Sequence, residues 1–122
     1  MKDIYADAEK ISKEFAECSK FLAAIGDETR QHMLLEMMKM KKCSGVRVGE
    51  ITKKTNLSRP AVSHHLAIMK DAGIVKMRKE GTMNFYYLDV ETKTMRKLID
   101  TLSHVEDVLI ALKELRKDMD EE

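Results

Sequence analysis

The segment VGEITKKTNLSRPAVSHHLAIMK, residues 48–70, decides the fold, because it predicts two short helices joined by a tight turn. The first helix is expected over about 48–55, and it ends at a turn made of residues 56–58. The second helix begins at Arg59 and Pro60, where proline fits because the first helical position has no amide partner to lose. Two short helices separated by about three residues form a helix-turn-helix arrangement.

The second helix of this pair has one apolar face and one polar face. Val62, Leu66 and Met69 recur at spacings of four and three, which places them together on the buried side. The major groove of DNA admits one α-helix, whose N-terminal side chains reach base edges. We therefore expect Arg59 to bond a guanine edge. We expect the Ser63 hydroxyl and the His64 imidazole to donate to bases or phosphates. The polar face consists of Arg59, Pro60, Ser63, His64 and Ala67.

A change of period after this helix predicts a hairpin. Residues 75–78 alternate apolar and basic, which is typical of a strand with one buried face. A tight turn is expected at residues 79–82, with Gly81 at a positive φ, and an aromatic return strand at 85–88. A basic hairpin directly after a helix-turn-helix is a wing, whose cations position a protein on phosphates without specifying sequence. The further residues expected to contact DNA are Lys53, Lys54, Ser58, Lys70, Lys76, Arg78 and Lys79.

Long helices are expected at both ends of the chain. Residues 4–25 repeat apolar side chains at steps of three and four, and Asp27 caps a following helix that closes near Lys41. The last helix, over about 92–117, carries an apolar heptad seam, and the acidic residues from Asp118 onward are expected to fray. One small domain does not need so long a seam, so we expect a second copy of the chain to cover it, the alternative being an ordinary core helix. The residues expected in this dimer interface are Phe15, Met95, Leu98, Leu102, Val105, Leu109 and Leu112.

The length of 122 residues predicts one compact domain over residues 1–122. A hydrophobic share of 43% supports a core, and no apolar run approaches the roughly 18 residues that a membrane span needs. The N-terminus lacks the apolar stretch of a signal peptide and there are only two cysteines, so we expect a cytoplasmic protein without a disulfide framework. The expected parts are dimerisation helices at 1–25 and 92–117, the helix-turn-helix at 47–72 and the wing at 74–88.

Charge is unevenly distributed, although the net charge is only +1. The segment 39–81 carries eleven basic residues against three acidic ones, a net charge of +8, whereas the remainder carries a net charge of −7. A difference of this size favours a basic face that meets a polyanion such as double-stranded DNA. A merely solvated lysine-rich surface would have the same composition, so the helix pattern is needed to give the charge its meaning.

No catalytic constellation is apparent in the sequence. It contains neither a glycine-rich phosphate loop nor an HExxH motif. Ser63 and His64 are neighbours on a helix surface, unlike a serine nucleophile, which is presented on a strained turn. The sequence therefore predicts a protein that is not an enzyme and that needs no cofactor.

Three parts of the chain resemble the ArsR-type winged-helix repressors. Residues 21–30, FLAAIGDETR, look like the LADPTR motif of that family, with Glu28 where proline is common. Residues 57–66, LSRPAVSHHL, match its recognition helix, and residues 73–88 match its wing. The resemblance implies a mainly α fold with a small β-hairpin. It also implies a homodimeric DNA-binding transcription repressor, released from DNA by metal ions or by thiol oxidation.

The resemblance does not identify an effector for this chain. Metal-sensing members of the family often place a Cys-x-Cys pair where this chain has Arg47 and Gly49, neither of which is a soft ligand. Other members bind a metal through four positions at and before the C-terminal helix. In this chain one of those four positions is a lysine. A cation at a ligand position disfavours zinc, so we predict no metal site. The four aligned residues are Glu91, Lys93, His104 and Asp107.

The two cysteines have different expected roles. Cys18 lies on an apolar helix face and is expected to pack as a small hydrophobe. Cys43 lies in a basic loop beside Lys41 and Lys42, which favours the thiolate. It is therefore either a reactive thiol, alone or paired across a dimer, or an idle surface thiol.

An alternative interpretation keeps the winged-helix shape without DNA recognition. Such a chain would serve as a protein-interaction module, since a fold does not fix a function. A protein-binding face would be apolar where Arg59, Ser63 and His64 stand, so the polar character of the second helix argues against this alternative.

Overall fold

The chain folds into five helices and one antiparallel hairpin in a computed structural model that describes residues 3–120. This mainly helical architecture with a small hairpin confirms the predicted fold class. Close contacts divide the chain into a central unit, Lys20–Glu91, and a second unit formed by the terminal segments up to Ser19 and from Thr92 onward. In chain order the elements are α1 (Ile4–Ile25), α2 (Glu28–Lys39), α3 (Val48–Thr55), α4 (Arg59–Asp71), β1 (Val75–Glu80), β2 (Met83–Leu88) and α5 (Thr92–Asp120).

The helix-turn-helix is formed by α3 and α4, as the sequence predicts. Asn56 takes a left-handed conformation with φ 60° and closes α3. Ser58 then caps α4, because its hydroxyl accepts a hydrogen bond from the Ala61 amide at 3.2 Å. Pro60 lies in the first turn of α4, where its missing amide costs no hydrogen bond. The local chemistry of residues 56–61 therefore fixes where the second helix begins.

The core of the central unit is built on the apolar face of α4. Val62, Leu66 and Met69 are fully buried, as their spacing predicts. Burial of each such side chain contributes about 1.5–3 kcal/mol, so this face holds α4 in place and leaves its other face in solvent. The remaining buried apolar residues of this unit are Phe21, Ala24, Met33, Met37, Val46, Ile51, Ile74 and Val75.

The hairpin is longer and its turn tighter than the sequence predicts. β1 and β2 pair from Val75–Leu88 to Glu80–Met83, so the turn contains only Gly81 and Thr82. Gly81 takes a φ of 59°, and a glycine at the first central position supports a two-residue hairpin turn. Strand pairing therefore includes Lys79 and Glu80, which we expected in the turn.

The loop between α2 and α3 is attached to the hairpin. Val46 and Tyr86 exchange two backbone hydrogen bonds of 2.8 Å, which adds a one-residue bridge beside β2. Gly45 has a φ of 129°, and a Cβ on it would lie 2.9 Å from the Cβ of Phe85. This close approach requires glycine at position 45 and connects the wing to the start of α3.

The terminal unit pairs the first part of α1 with α5. Cys18 and Leu98 are buried in the chain, and so is Thr101. Ion pairs join the two helices between Lys97 and Glu17 and between His104 and Glu14. Among residues 3–120, no helix has the length and apolar character that crossing a bilayer requires.

Two helix ends differ from their predicted positions. α5 continues to Asp120, past the expected end at 117, and Asp118 is helical and not frayed. The last two acidic residues of the expected tail, Glu121 and Glu122, lie outside the described residues. α2 ends at Lys39, two residues before the predicted end near Lys41. The helix stops there because Met40 takes an extended backbone conformation.

Arg30 joins the end of α1 to α2 and α4. Its Nε donates to the Ala24 carbonyl at 2.6 Å and its Nη2 to the Ala23 carbonyl at 3.1 Å. These carbonyls belong to the last turn of α1 and have no partner within the helix. The guanidinium also lies 3.3 Å from Nδ1 of His65 on α4.

Replacing this arginine should therefore destabilise the central unit. We expect Arg30→Ala to lower the free energy of unfolding by about 2–3 kcal/mol, because hydrogen bonds from a charged donor are lost and two carbonyls are left unpaired. Urea denaturation measures this change. Lys39→Ala, which removes an exposed ion pair with Glu36, is the matched control and should cost only about 0.2–0.5 kcal/mol. Equal effects of the two variants would contradict the structural role of Arg30.

Candidate nucleic-acid interface

The polar face of α4 is exposed and contains no large apolar side chain. Arg59, Pro60, Ser63, His64 and Ala67 are all solvent-exposed in the described structure. The opposite, apolar face of the helix is buried, so the polar face has a fixed orientation on the central unit. Ser58 is also exposed, but its hydroxyl already accepts the capping hydrogen bond of α4. The helix thus offers short donors and a small alanine to a close-fitting partner.

The predicted lysines around this face differ in their surroundings. Four of them are exposed and form no ion pair with any residue in the range 3–120. Lys76 instead donates to the Asp89 carboxylate at 3.0 Å, and this hydrogen bond raises the pKa of Lys76 above its ordinary value. Its charge is partly offset on the protein itself, so it is a weaker candidate for a phosphate contact. The four exposed lysines are Lys53, Lys54, Lys70 and Lys79.

Arg78 makes several contacts within the wing, although its side chain is still 36% exposed. Its guanidinium carbon lies 4.4 Å from the centre of the Phe85 ring, a cation–π contact. Its Nε donates to the Ser44 carbonyl at 2.9 Å and its Nη1 to the Glu80 carboxylate at 2.5 Å. These contacts hold the wing on the α2–α3 loop, so the structure gives Arg78 a structural role that its sequence pattern does not indicate.

Arg59 lies against the backbone of α3. A Cβ placed on Gly49 would be 2.9 Å from Nη2 of Arg59 and 3.7 Å from its Cζ. The guanidinium therefore occupies the space that any other residue at position 49 would fill. It lines an open groove of about 500 Å³ whose walls come from α3, the start of α4 and the tip of the wing. Arg47, Lys53, Thr82 and Asn84 line the same groove.

The two adjacent histidines of α4 have different environments. His64 is exposed, whereas His65 is half-buried and faces Arg30 and Asp27. Burial lowers the pKa of His65 below its ordinary value, so its ring is neutral near pH 7. His65 thus lies against the protein interior, and only His64 is left for contacts with a partner.

The residues that align with metal ligands of the family are not clustered in the described part of the chain. Among residues 3–120, no group of three or more histidine, cysteine or acidic side chains is arranged to hold a metal ion. His104 bonds the Glu14 carboxylate through Nδ1 at 2.9 Å. Cys18 is a buried free thiol and Cys43 an exposed one. Lys42, beside Cys43, pairs with Glu50, so only part of the basic surroundings of that thiol is free.

The His104–Glu14 pair predicts a measurable titration. The hydrogen bond that the His104 imidazole donates to the Glu14 carboxylate raises the pKa of His104 and lowers the pKa of Glu14. A raised histidine pKa means that the contribution to stability is complete below the unfolded pKa and is lost as pH rises through the folded pKa. NMR titration of the imidazole should give a pKa above about 6.5. Glu14→Gln should move it back toward that value, and an unchanged pKa in the variant would contradict the pairing.

The predicted dimer residues fall into two groups by burial. Leu98 is only 6% exposed and Val105 is half-buried, so both already pack within the chain. The others are at least one-third exposed and include Leu102 at 48% and Leu109 at 60%. Ile99 and Ile110, which the seam does not include, are also exposed. The exposed residues of the predicted interface are Phe15, Met95, Leu102, Leu109 and Leu112.

Sequence reasoning missed two residues that shape this site. Gly49 gives no signal in a single sequence, because a glycine in a short helix is explained equally well by several causes. Arg30 could have been suspected, since a long basic side chain next to two predicted helix ends is placed to bond free carbonyls. Both roles depend on contacts between neighbouring helices, which periodicity does not report.

Comparison with known proteins gives consistent similarities. A family model described as "Bacterial regulatory protein, arsR family" matches residues 27–77. An uncharacterized HTH-type transcriptional regulator of Methanocaldococcus jannaschii is 40% identical over 91 residues, which cover 74% of this chain and 99% of that relative. The transcriptional activator HlyU of Vibrio cholerae is 31% identical over 103 residues, covering 84% and 92%. The transcriptional repressor SdpR of Bacillus subtilis is 33% identical over 66 residues, covering 54% and 69%.

Solved structures show the same similarity in three dimensions. An ArsR-like transcriptional regulator from Rhodococcus sp. RHA1 superposes with a TM-score of 0.63 at 26% identity, covering 83% of this chain and 93% of that one. Reduced HlyU from Vibrio cholerae superposes with a TM-score of 0.57 at 27% identity, covering 75% and 92%. The similar proteins are named as transcription regulators, and the family model over residues 27–77 includes both helices of the helix-turn-helix.

Proposed function

Because this chain belongs to the ArsR family of DNA-binding transcription regulators, we propose that it acts as a homodimeric repressor on an inverted-repeat operator. The observation that carries the proposal is the exposed polar face of α4, fixed to the core by its buried side. In this proposal α4 enters the major groove, with Ser63 and His64 toward base edges. The wing and the free lysines contact the flanking phosphates and set the position of the helix.

The dimer is supported by the apolar side chains that α5 leaves in solvent. Large side chains such as Leu102 and Leu109 are about half exposed, and contiguous exposed apolar surface marks an interaction site. A two-fold interface uses the same patch on both copies, so one seam on α5 is sufficient. Two α4 helices in such a dimer would read half-sites one DNA turn apart, about 34–36 Å.

The relatives include both an activator and a repressor of transcription. HlyU is named a transcriptional activator and SdpR a transcriptional repressor. Repression needs only that the dimer occupy its site on the DNA. We therefore propose that the protein is a repressor. It acts in the cytoplasm and has no catalytic role.

An electrophoretic shift on the upstream region of its own gene tests this function. We expect a retarded complex whose affinity falls steeply with salt, because counterions are released when lysines and arginines neutralise phosphates. Titration at two salt concentrations, about 50 mM and 200 mM, measures the effect, and an unrelated duplex of equal length gives the non-specific background. Absence of a complex, or an affinity that does not change with salt, would overturn the proposal. In vitro transcription from the shifted fragment separates repression from activation.

A further inference from the structure

The groove between α3, α4 and the wing collects cations that the fold does not neutralise. Arg47, Lys53 and Arg59 line it, and none of the three forms an ion pair with any side chain among residues 3–120. Among residues 3–120, the only acid on its wall is Glu50, whose carboxylate accepts hydrogen bonds from Lys42 and from the Arg47 amide. The bond from Lys42 is the main reason that the pKa of Glu50 lies below its ordinary value. The charge of Glu50 is thus offset from outside the groove, which stays cationic.

Polar groups on the wing side of the groove are also free. Thr82 belongs to the hairpin turn, and its hydroxyl makes no hydrogen bond to any described residue. The amide oxygen of Asn84 is buried without a hydrogen-bond partner among residues 3–120. Among these residues no hydrogen bond fixes the orientation of the Asn84 amide, which lines the groove. A cationic groove with a free hydroxyl and a free amide suits a phosphate group.

We propose that this groove holds one backbone phosphate of the bound DNA, with Arg59 as its main ligand and Gly49 as the residue that positions Arg59. The proposal rests on the proposed function, since it assigns a role within DNA binding. It changes the role that the sequence predicts for Arg59. The guanidinium lies over α3 and beside other cations. In this position it contacts the DNA backbone and not a guanine edge.

The first test separates a phosphate contact from a base contact. A residue that binds phosphate weakens all sequences alike, whereas a residue that reads a base weakens only the specific site. We expect Arg59→Ala to reduce affinity roughly tenfold per protomer on both the upstream region and an unrelated duplex of equal length. The slope of log affinity against log salt should fall by about 0.9 for each protomer. A loss confined to the upstream region would identify a base contact and overturn the proposal.

The second test asks whether Gly49 acts through Arg59. Alanine fits a helix, and the atom that it would displace is the end of a flexible side chain, so Gly49→Ala should fold with an unchanged or slightly higher melting temperature. It should nevertheless weaken binding to both duplexes, because the added methyl group displaces the Arg59 guanidinium from its position over α3. In the Arg59→Ala background the same substitution should cause no further loss.

Lys70→Ala provides the matched comparison for this cycle. Lys70 is an exposed cation on α4 that does not line the groove, so its loss should add to that of Gly49→Ala without coupling. Additivity between Gly49→Ala and Arg59→Ala would overturn the positioning role. Gly49→Ser repeats the test with a second small side chain if the alanine variant folds poorly. The wild-type titration comes before any comparison of variants. If the unmodified chain bound neither duplex, the proposed function itself would be wrong.

Discussion

Ser63→Glu is expected to abolish binding to the operator while leaving the fold intact. Ser63 is exposed in the middle of the polar face of α4, and its loss removes no contact of the core. Glutamate favours the helical conformation at least as well as serine, so the melting temperature should not fall. In the complex, however, its carboxylate would face the phosphates of the major groove. We expect a loss of about 2–3 kcal/mol per protomer, since a 1–3 kcal/mol contact is replaced by repulsion.

The control for this variant carries the same added charge elsewhere on the central unit. Leu35 on α2 is 55% exposed, and Leu35→Glu changes the net charge equally without touching the polar face of α4. Fluorescence anisotropy with a labelled duplex should show near wild-type affinity for the control and loss for Ser63→Glu. Equal affinities of the two variants would mean that DNA does not meet this face of α4. The alternative of a protein-interaction module would then regain support.

The double variant Leu102→Glu, Leu109→Glu is expected to produce a monomer that no longer binds its operator. Each leucine buried in an interface contributes about 1.5–3 kcal/mol, and a two-fold axis removes each contribution twice. The introduced carboxylates would also have to be desolvated against their own copies. Without the dimer, the two half-sites must be bound separately, and the affinity gained by linking them is lost.

Size-exclusion chromatography with light scattering measures the oligomeric state of this variant. Ser103→Glu is the control, because it adds a charge at an exposed polar position of the same helix. We expect the control to stay dimeric and the double variant to elute as a folded monomer with its circular dichroism spectrum retained. A wild-type chain that is monomeric at micromolar concentration, or a double variant that stays dimeric, would contradict the assignment of the α5 seam.

Much of the fold could be predicted from local sequence because local chemistry determines it. The limits of α3 and α4 follow from Asn56, Ser58 and Pro60, whose conformational preferences act within a few residues. The inward face of α4 follows from apolar spacing alone. The predicted hairpin turn, residues 79–82, is too wide because charged side chains such as Lys79 and Glu80 give no sequence signal of strand pairing, and only the pairing of Glu80 with Met83 shows that the strands continue.

The roles of individual cations could not be predicted in the same way. Lys76, Arg78 and Lys79 look equivalent along the chain, yet Lys76 pairs with Asp89, Arg78 stacks on Phe85, and Lys79 forms no ion pair within residues 3–120. Such differences depend on which distant groups the fold brings close. The same holds for Leu98, which continues the heptad seam in sequence but is buried within its own chain. Periodicity assigns a residue to a face, and packing decides whether that face is already covered.

Selection of bound sites from a library of random duplexes tests the central claim most directly. The unmodified chain is incubated with the library at moderate salt, and the retained duplexes are sequenced. The account predicts enrichment of an inverted repeat whose half-site centres are about 10–10.5 base pairs apart, one turn of DNA. Retained duplexes without a shared sequence, or with a single half-site and no two-fold symmetry, would contradict a dimer that places two α4 helices in successive major grooves.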